Sequence, residues 1–345
     1  GAIPGLHRTR IGCRVGSETA TDTMTTLLSV SDLVVEYVRR GQPVRAVDRS
    51  SLTIAAGSAV GLVGESGSGK TTLALSLLGL LPKNGKVVGG EIRYRDSDLS
   101  AASEDQWREF RWTKIALVFQ GGMNALNPVK RVLDQIVEPM LVHRTESSRD
   151  AAARRAIELL ERVGISGRRA REYPHEYSGG MRQRACIAMA LACQPDILIA
   201  DEPATAIDVV VQAQIIRLLV ELRSTLGLAL LIITHDLGVV AQLCDEVLVM
   251  YAAQIIERGP VSSIFHDPKH PYTQLLLDSV PRFSRGPTIG EGIRGFPPSL
   301  AAPPSGCRFH PRCPQVMPMC SVEVPVSHRF GGSHAASCHL YGSLR

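Results

Sequence analysis

Residues 64–72, reading GESGSGKTT, have the residue types and spacing to hold a phosphorylated ligand. Gly64, Gly67 and Gly69 free the backbone to curl, so that successive N–H groups converge on one oxyanion; Glu65, Ser66 and Ser68 complete the curl. A helix starting near Lys70 would add the positive end of its dipole. Lys70 is long enough to reach the β- and γ-phosphates of a nucleotide, and the hydroxyl of Thr71, with Thr72 beside it, can ligate Mg²⁺. The plain alternative is a glycine turn followed by an incidental Lys-Thr. That pattern arises by chance in a chain of this length on the order of once in a hundred. The flanks narrow it further, because an apolar strand-like run (60–63) precedes the loop and a helix-like run (73–78) follows it. Such a context predicts binding of a nucleoside triphosphate.

Four further polar residues stand where apolar runs stop. Asp201 and Glu202 close the run 196–200, Gln120 closes 114–119, and His235 closes 228–234. An open α/β sheet presents its ligand at the carboxyl ends of its strands. In that setting Asp201 can hold Mg²⁺ through its water shell, and Glu202 can polarise an attacking water. Gln120 can touch the metal or the water, and His235 the γ-phosphate. Each is unremarkable alone, since many sheet strands end in polar residues. Together, behind a phosphate loop, they form one catalytic constellation. Tyr37, near the end of a strand, could stack on an adenine ring or simply be half-buried strand packing.

The elements that must position these residues follow from hydrophobic patterning. Residues 27–38 and 46–54 read as strands joined by a turn at 41–43, and 90–95 and 114–119 read as strands. Helices are expected at 150–163, 181–193 and 209–226, with apolar strands at 196–202 and 228–234. Alternation of strand and helix predicts an α/β fold, with a mostly parallel core sheet covered on both faces.

Bulk properties set bounds. The 345 residues are 44% hydrophobic and 21% charged, ordinary for a globular chain, with a formal net charge of +5. No uninterrupted apolar run approaches the ~20 residues of a membrane-spanning helix, so work at a membrane would go through partners. Basic pairs such as Arg39-Arg40 and Arg154-Arg155 are scattered, the pattern of solvated faces rather than of a nucleic-acid groove. Residues 1–23 are polar and lack a secretory apolar region, and are expected to be a disordered leader with Met24 as the start.

Of eight cysteines, four crowd the end as Cys307-x5-Cys313-x6-Cys320-x17-Cys338, after a Pro- and Gly-rich linker at 287–306. Disulfides fit poorly with a large nucleotide-dependent chain lacking a secretory signal. Zinc is an option, with His310, His328 or His339 as substitutes, although the spacings exceed the usual C-x2–4-C. Four thiolates could instead hold a 4Fe–4S cluster, with prolines 311, 314 and 318 stiffening the ligand loop. Spacing alone leaves cluster, zinc and unliganded thiols open.

The order of phosphate loop, strand-end Gln, Ser-Gly-Gly helix, strand ending Asp-Glu, then strand-end His resembles the ATP-binding cassette (ABC) family over about residues 25–260. Its most specific part is Tyr177-Ser178-Gly179-Gly180-Met181-Arg182-Gln183-Arg184. Ser178 and the backbone of Gly179 and Gly180, at a helix N-terminus, would form a second phosphate site, which the family's dimer closes on the partner's nucleotide. Asp208 matches the acid of the loop at that interface. By resemblance Tyr37 stacks on adenine, and Gln120 opens the loop that senses the membrane partner. Two departures stand out. Gly121-Gly122 replaces the usual Asp-Pro, loosening that loop, and Ala204 and Ile207 replace Thr or Ser and Leu.

The resemblance implies a P-loop NTPase of ABC type, with a nucleotide-binding domain over 24–259, an N-terminal antiparallel β subdomain, a helical subdomain at about 121–194, and a C-terminal extension at 260–345. His270-Pro271-Tyr272-Thr273 and the Cys-rich tail look like the ATPase subunits of bacterial dipeptide and oligopeptide importers. The resemblance then implies a 4Fe–4S cluster on Cys307, Cys313, Cys320 and Cys338. It also implies two membrane-spanning permease subunits, a second and often different ATPase subunit, an extracytoplasmic binding protein, and a peripheral place on the cytoplasmic face of the membrane. Rival readings are a nickel or other small-solute importer and, outside transport, a soluble ABC ATPase of repair or translation. The interval 72–177 is too short for a repair-type coiled coil, and a single cassette does not fit the two-cassette translation factors.

Overall fold

The computed structural model describes residues 25–119, 125–203, 208–279 and 292–342. The expected leader, Gln120 with Gly121-Gly122, and residues 204–207 lie outside the described residues. The described chain opens with a long hairpin, β1 (Thr26–Arg39) and β2 (Gln42–Ala55). Arg40 and Gly41 turn it with φ of 51° and 78°, the left-handed pair that matches the natural twist of two strands. The turn therefore falls at 40–41 rather than 41–43, and Gln42 and Pro43 already pair with Arg39 and Val38.

Next come β3 (Ala59–Val63), α1 (Lys70–Ser76), β4 (Gly85–Tyr94), β5 (Ser97–Asp98), α2 (Glu104–Phe110) and β6 (Ile115–Val118). Strands β2-β1-β4-β5 form an antiparallel sheet. Helices α3 (Val132–Val142), α4 (Arg149–Arg162) and α5 (Gly179–Ala190) then pack against one another between β6 and β7 (Ile197–Asp201). They are followed by α6 (Val209–Leu226), β8 (Ala229–Ile233), α7 (Leu237–Leu243), β9 (Glu246–Tyr251) and β10 (Gln254–Pro260). Last come α8 (Val261–His266), α9 (Pro271–Asp278) and a hairpin of β11 (Ser327–Gly331) and β12 (His334–Ser337).

The main sheet runs β11-β12-β10-β9-β3-β8-β7-β6. It is parallel from β9 to β6 and antiparallel from β9 outwards to β11, so the expected mostly parallel sheet is a mixed one. Strands β3, β7 and β8 are buried throughout, and their residues alternate between two cores. Leu198, Ala200, Leu230 and Ile232 join the helices on one face. Ile197, Ile199, Leu231 and Ile233 join α1 and the antiparallel sheet on the other.

The tail is packed against the body of the fold. Strand β12 extends the main sheet by pairing Ala335 and Ala336 with Arg258 and Glu257 of β10. Phe309 is fully buried, its ring 5.2 Å from that of Tyr251 and 5.4 Å from that of Tyr272.

Candidate functional site

The phosphate loop joins β3 to α1 and is squeezed between two neighbouring strands. A Cβ on Gly64 would lie 2.0 Å from the Met250 carbonyl oxygen of β9, and one on Gly69 would lie 2.1 Å from that of Ala46 in β2. Both glycines also take positive φ, so no other residue fits without backbone movement. Inside the curl, the Lys70 ammonium donates to the carbonyl oxygens of Gly64 (2.8 Å) and Glu65 (2.9 Å). Burial pushes the Lys70 pKa down, and the charges of Glu202, Asp201 and Glu65 pull against that.

The acids arrive at the end of β7, which β8 separates from β3 in the sheet. Thr71 Oγ1 donates to Asp201 Oδ2 at 2.8 Å. Burial raises the Asp201 pKa, and the Thr71 hydrogen bond opposes the rise. The chain leaves β7 with Glu202 at φ 51°, while its N–H donates to the Ile233 carbonyl of β8. That turn carries the Glu202 carboxylate to His235, whose Nδ1 lies 2.7 Å from Oε1. Ser66, Gly67, Gly69, Lys70, Thr71, Thr72, Asp201, Glu202 and His235 share one cavity of about 580 Å³, closed further by Ala46 and Leu300. The volume lies within the range of small-ligand pockets, about 300–1,000 Å³.

Not every expected residue lines that cavity. The Tyr37 ring packs on Gly85 and its hydroxyl lies 3.5 Å from Thr72 Oγ1, which places it beside the cavity but not among its lining residues. Ser178 is exposed and caps α5 by accepting from Met181 N–H, with Gly179 and Gly180 as the first helical residues. Asp208, also exposed, caps α6 by accepting from Val211 N–H at 2.9 Å. None of the four lines the cavity of its own chain. Gln120 lies outside the described residues.

The four tail cysteines come into one neighbourhood. Cys307 N–H donates to the Cys320 carbonyl at 2.8 Å. Burial pushes the Cys338 thiol up to about 11, with Cys307, Cys313 and Cys320 adding to the rise. The alternative nitrogen donors are engaged elsewhere in part, as His310 Nδ1 meets the Cys307 carbonyl and His339 Nε2 that of Glu323. Among the described residues, no group of three or more His, Cys, Asp or Glu is arranged to hold a metal ion as it stands.

Sequence reasoning missed the tail's contribution to the loop. Tyr272 Oη accepts from Glu65 N–H at 3.0 Å, and Arg312 forms a two-pronged ion pair with the Glu65 carboxylate at 2.7 and 3.0 Å. The His270–Thr273 motif was visible, but nothing in its spacing to Glu65 (207 residues from Tyr272) foretells the contact.

A glycine loop gripping a lysine, with two acids and a histidine from neighbouring strand ends, is the site of a P-loop nucleotide-binding protein on an ABC ATPase fold. Comparison with known proteins agrees. The family described as "ABC transporter" matches residues 47–205, and that described as "Oligopeptide/dipeptide transporter, C-terminal region" matches 256–320. A probable peptide ABC transporter ATP-binding protein, y4tR of Sinorhizobium fredii, is 47% identical, covering 90% of this chain and 94% of its own. The dipeptide transport ATP-binding protein DppD of Escherichia coli is 42% identical, with 91% and 96% covered. Among solved structures, the post-hydrolysis dimer of the ATP-binding cassette MJ0796 bound to ADP and Pi superposes with a TM-score of 0.62 at 27% identity, covering 68% of this chain and 99% of that one. The chain belongs to the ABC transporter family, among the ATP-binding proteins of dipeptide and oligopeptide transport.

Proposed function

We propose that this chain is the ATP-hydrolysing subunit of a multi-subunit ABC importer of dipeptides or oligopeptides. Its partners on this reading are two permease subunits, a second ATPase subunit and an extracytoplasmic binding protein, and it works peripherally at the cytoplasmic face of the membrane. Among the described residues no helix is long and apolar enough to cross a membrane; on this reading the permeases supply the path for the peptide. The observation that carries the enzymatic half is the convergence of Lys70, Thr71, Asp201, Glu202 and His235 on one nucleotide-sized cavity.

In this reading the curled loop and Lys70 bind the β- and γ-phosphates. Thr71 Oγ1 and Asp201 Oδ2 form an all-oxygen pair suited to a hard divalent cation; Mg²⁺ held there would offset phosphate charge. Glu202 takes the proton of the attacking water, and His235, bonded to its carboxylate, orients it toward the γ-phosphate. Ser178, Gly179, Gly180 and Asp208 do not line the cavity of their own chain, which suits a role on the nucleotide held by a partner cassette. Gln120 would link the site to the permease, and Tyr37 would border the adenine.

We assign the four tail thiols to a 4Fe–4S cluster with a structural role. Support comes from the four-Cys spacing and from the packing of the tail, where the Cys307 N–H bond to the Cys320 carbonyl and short turns at His310–Arg312 and Pro318–Ser321 bring Cys307, Cys313, Cys320 and Cys338 into one region. Anaerobic purification should yield iron and acid-labile sulfide that are lost in a Cys313→Ser variant; their absence from the intact chain refutes the assignment. For the importer as a whole, gentle-detergent capture of the tagged chain from its native membranes should bring down two polytopic subunits, a second cassette ATPase and a peptide-binding protein. Recovery of ribosomes or repair proteins instead would refute the transport reading.

A further inference from the structure

Three carboxylates act on the charge of Lys70: those of Asp201 and Glu202, which line the cavity with it, and that of Glu65, whose main-chain carbonyl Lys70 also meets at 2.9 Å. Asp201 is tied to Thr71 and Glu202 to His235. Glu65 is paired with a cation from the far end of the chain: Arg312 Nη1 meets Oε2 at 2.7 Å and Nη2 meets Oε1 at 3.0 Å. Its guanidinium is nearly buried, with the side chain 7% exposed. The same group donates from Nε to the Arg294 carbonyl (2.9 Å) and from Nη2 to that of Gly295 (3.3 Å), and Nη1 reaches Tyr251 Oη (3.3 Å). One side chain thus fastens the phosphate loop, strand β9 and the segment that leads to Leu300, which lines the nucleotide cavity.

We propose that Arg312 is a positioning residue for nucleotide binding, lowering the negative charge beside the phosphate loop by pairing with Glu65. The inference rests on the cavity being the ATP site. Without Arg312, Glu65 keeps a carboxylate beside the loop without its directly bonded cation, and that carboxylate repels a polyphosphate. A bidentate Arg–carboxylate fork is also geometrically specific, so lysine replaces only its charge.

The test is equilibrium binding of ATP and ADP to the full chain, wild type against Arg312→Gln, Glu65→Gln and the double variant. Arg312→Gln should weaken ATP on the order of tenfold, as expected for one unpaired, partly buried charge beside the phosphate loop, and ADP by less. Removing the repelling carboxylate should reverse the loss, so the double variant should bind ATP within about threefold of wild type on the same argument. Glu65→Gln alone, with its arginine left over, should bind ATP at least as tightly as wild type. In the assembled transporter the change in Arg312→Gln should fall on KM for ATP, with kcat little altered. Unchanged ATP affinity in Arg312→Gln, or a double variant as weak as the single, overturns the proposal. Should Arg312→Gln fail to fold, Glu65→Gln still decides, because weaker ATP binding there also overturns it. Wild type that binds no ATP would instead sink the ATP-site reading itself.

Discussion

Lys70 is held among carbonyl oxygens and carboxylates, with an ammonium that burial depresses and three acids sustain. Such a lysine is poised to exchange carbonyl partners for phosphate oxygens without moving far. Glu202 is the contrasting residue, since its carboxylate meets the imidazole of His235 at 2.7 Å. Exchanging it for the neutral isostere keeps the shape of the cavity and removes the proton acceptor of the proposed mechanism. Glu202→Gln should therefore retain ATP binding while hydrolysis falls by about 10²–10⁴, the range for a general base. Single-turnover hydrolysis, measured beside nucleotide occupancy, checks this, and undiminished turnover would move the base elsewhere. The residue types of both side chains were legible in the sequence as strand-end and loop chemistry. Their partners were not, because the Glu202–His235 hydrogen bond spans two strands that only the sheet brings side by side.

At the scale of elements, the loop between β3 and α1 is shaped by what presses on it. The Met250 and Ala46 carbonyls leave no space for a side chain at Gly64 or Gly69. Gly64→Ala must either rotate out of φ 152° or displace the backbone of β9. Strain of about 1–3 kcal/mol is the lower bound for such a change, and the clash adds to it. The expected outcome is a chain that still folds its helices but has lost ATP binding, read by circular dichroism and nucleotide titration; full affinity would show that the loop can relax. Strand and helix boundaries were mostly readable from periodicity, as in α6, where the expected 209–226 is the observed span. Helix α5 starts two residues earlier than periodicity suggests, because Ser178 caps it and Gly179-Gly180 form its first turn. A glycine pair reads locally as a break, yet a capped helix N-terminus tolerates it.

For the whole molecule, the tail is packed onto the body of the fold and brings Leu300 to the lining of the cavity. Phe309, between two of the tail cysteines, is buried against Tyr251 of the main sheet and Tyr272 of α9. Replacing it by alanine should cost about 3–5 kcal/mol, as for other large aromatic-to-alanine changes in cores. Denaturant unfolding should show that loss, and hydrogen exchange should rise across 307–342 and in the loop that Arg312 holds. A loss confined to the tail, with the loop's protection unchanged, would mean that tail and loop are independent.

What the sequence determined by itself is the chemistry that depends on near neighbours: the glycine loop, the lysine and hydroxyl after it, the acids that stop an apolar strand, and the alternation that makes an α/β sheet. Those features are set by local backbone geometry and by periods of about 2 and 3.6 residues. Tertiary structure alone decided which acids face Lys70, that the sheet runs on antiparallel through β10 and β12, and that Glu65 is neutralised from 247 residues away by Arg312. Contacts at such separation carry no spacing rule, because the intervening chain can be of any length and only packing brings the two charges within bonding distance.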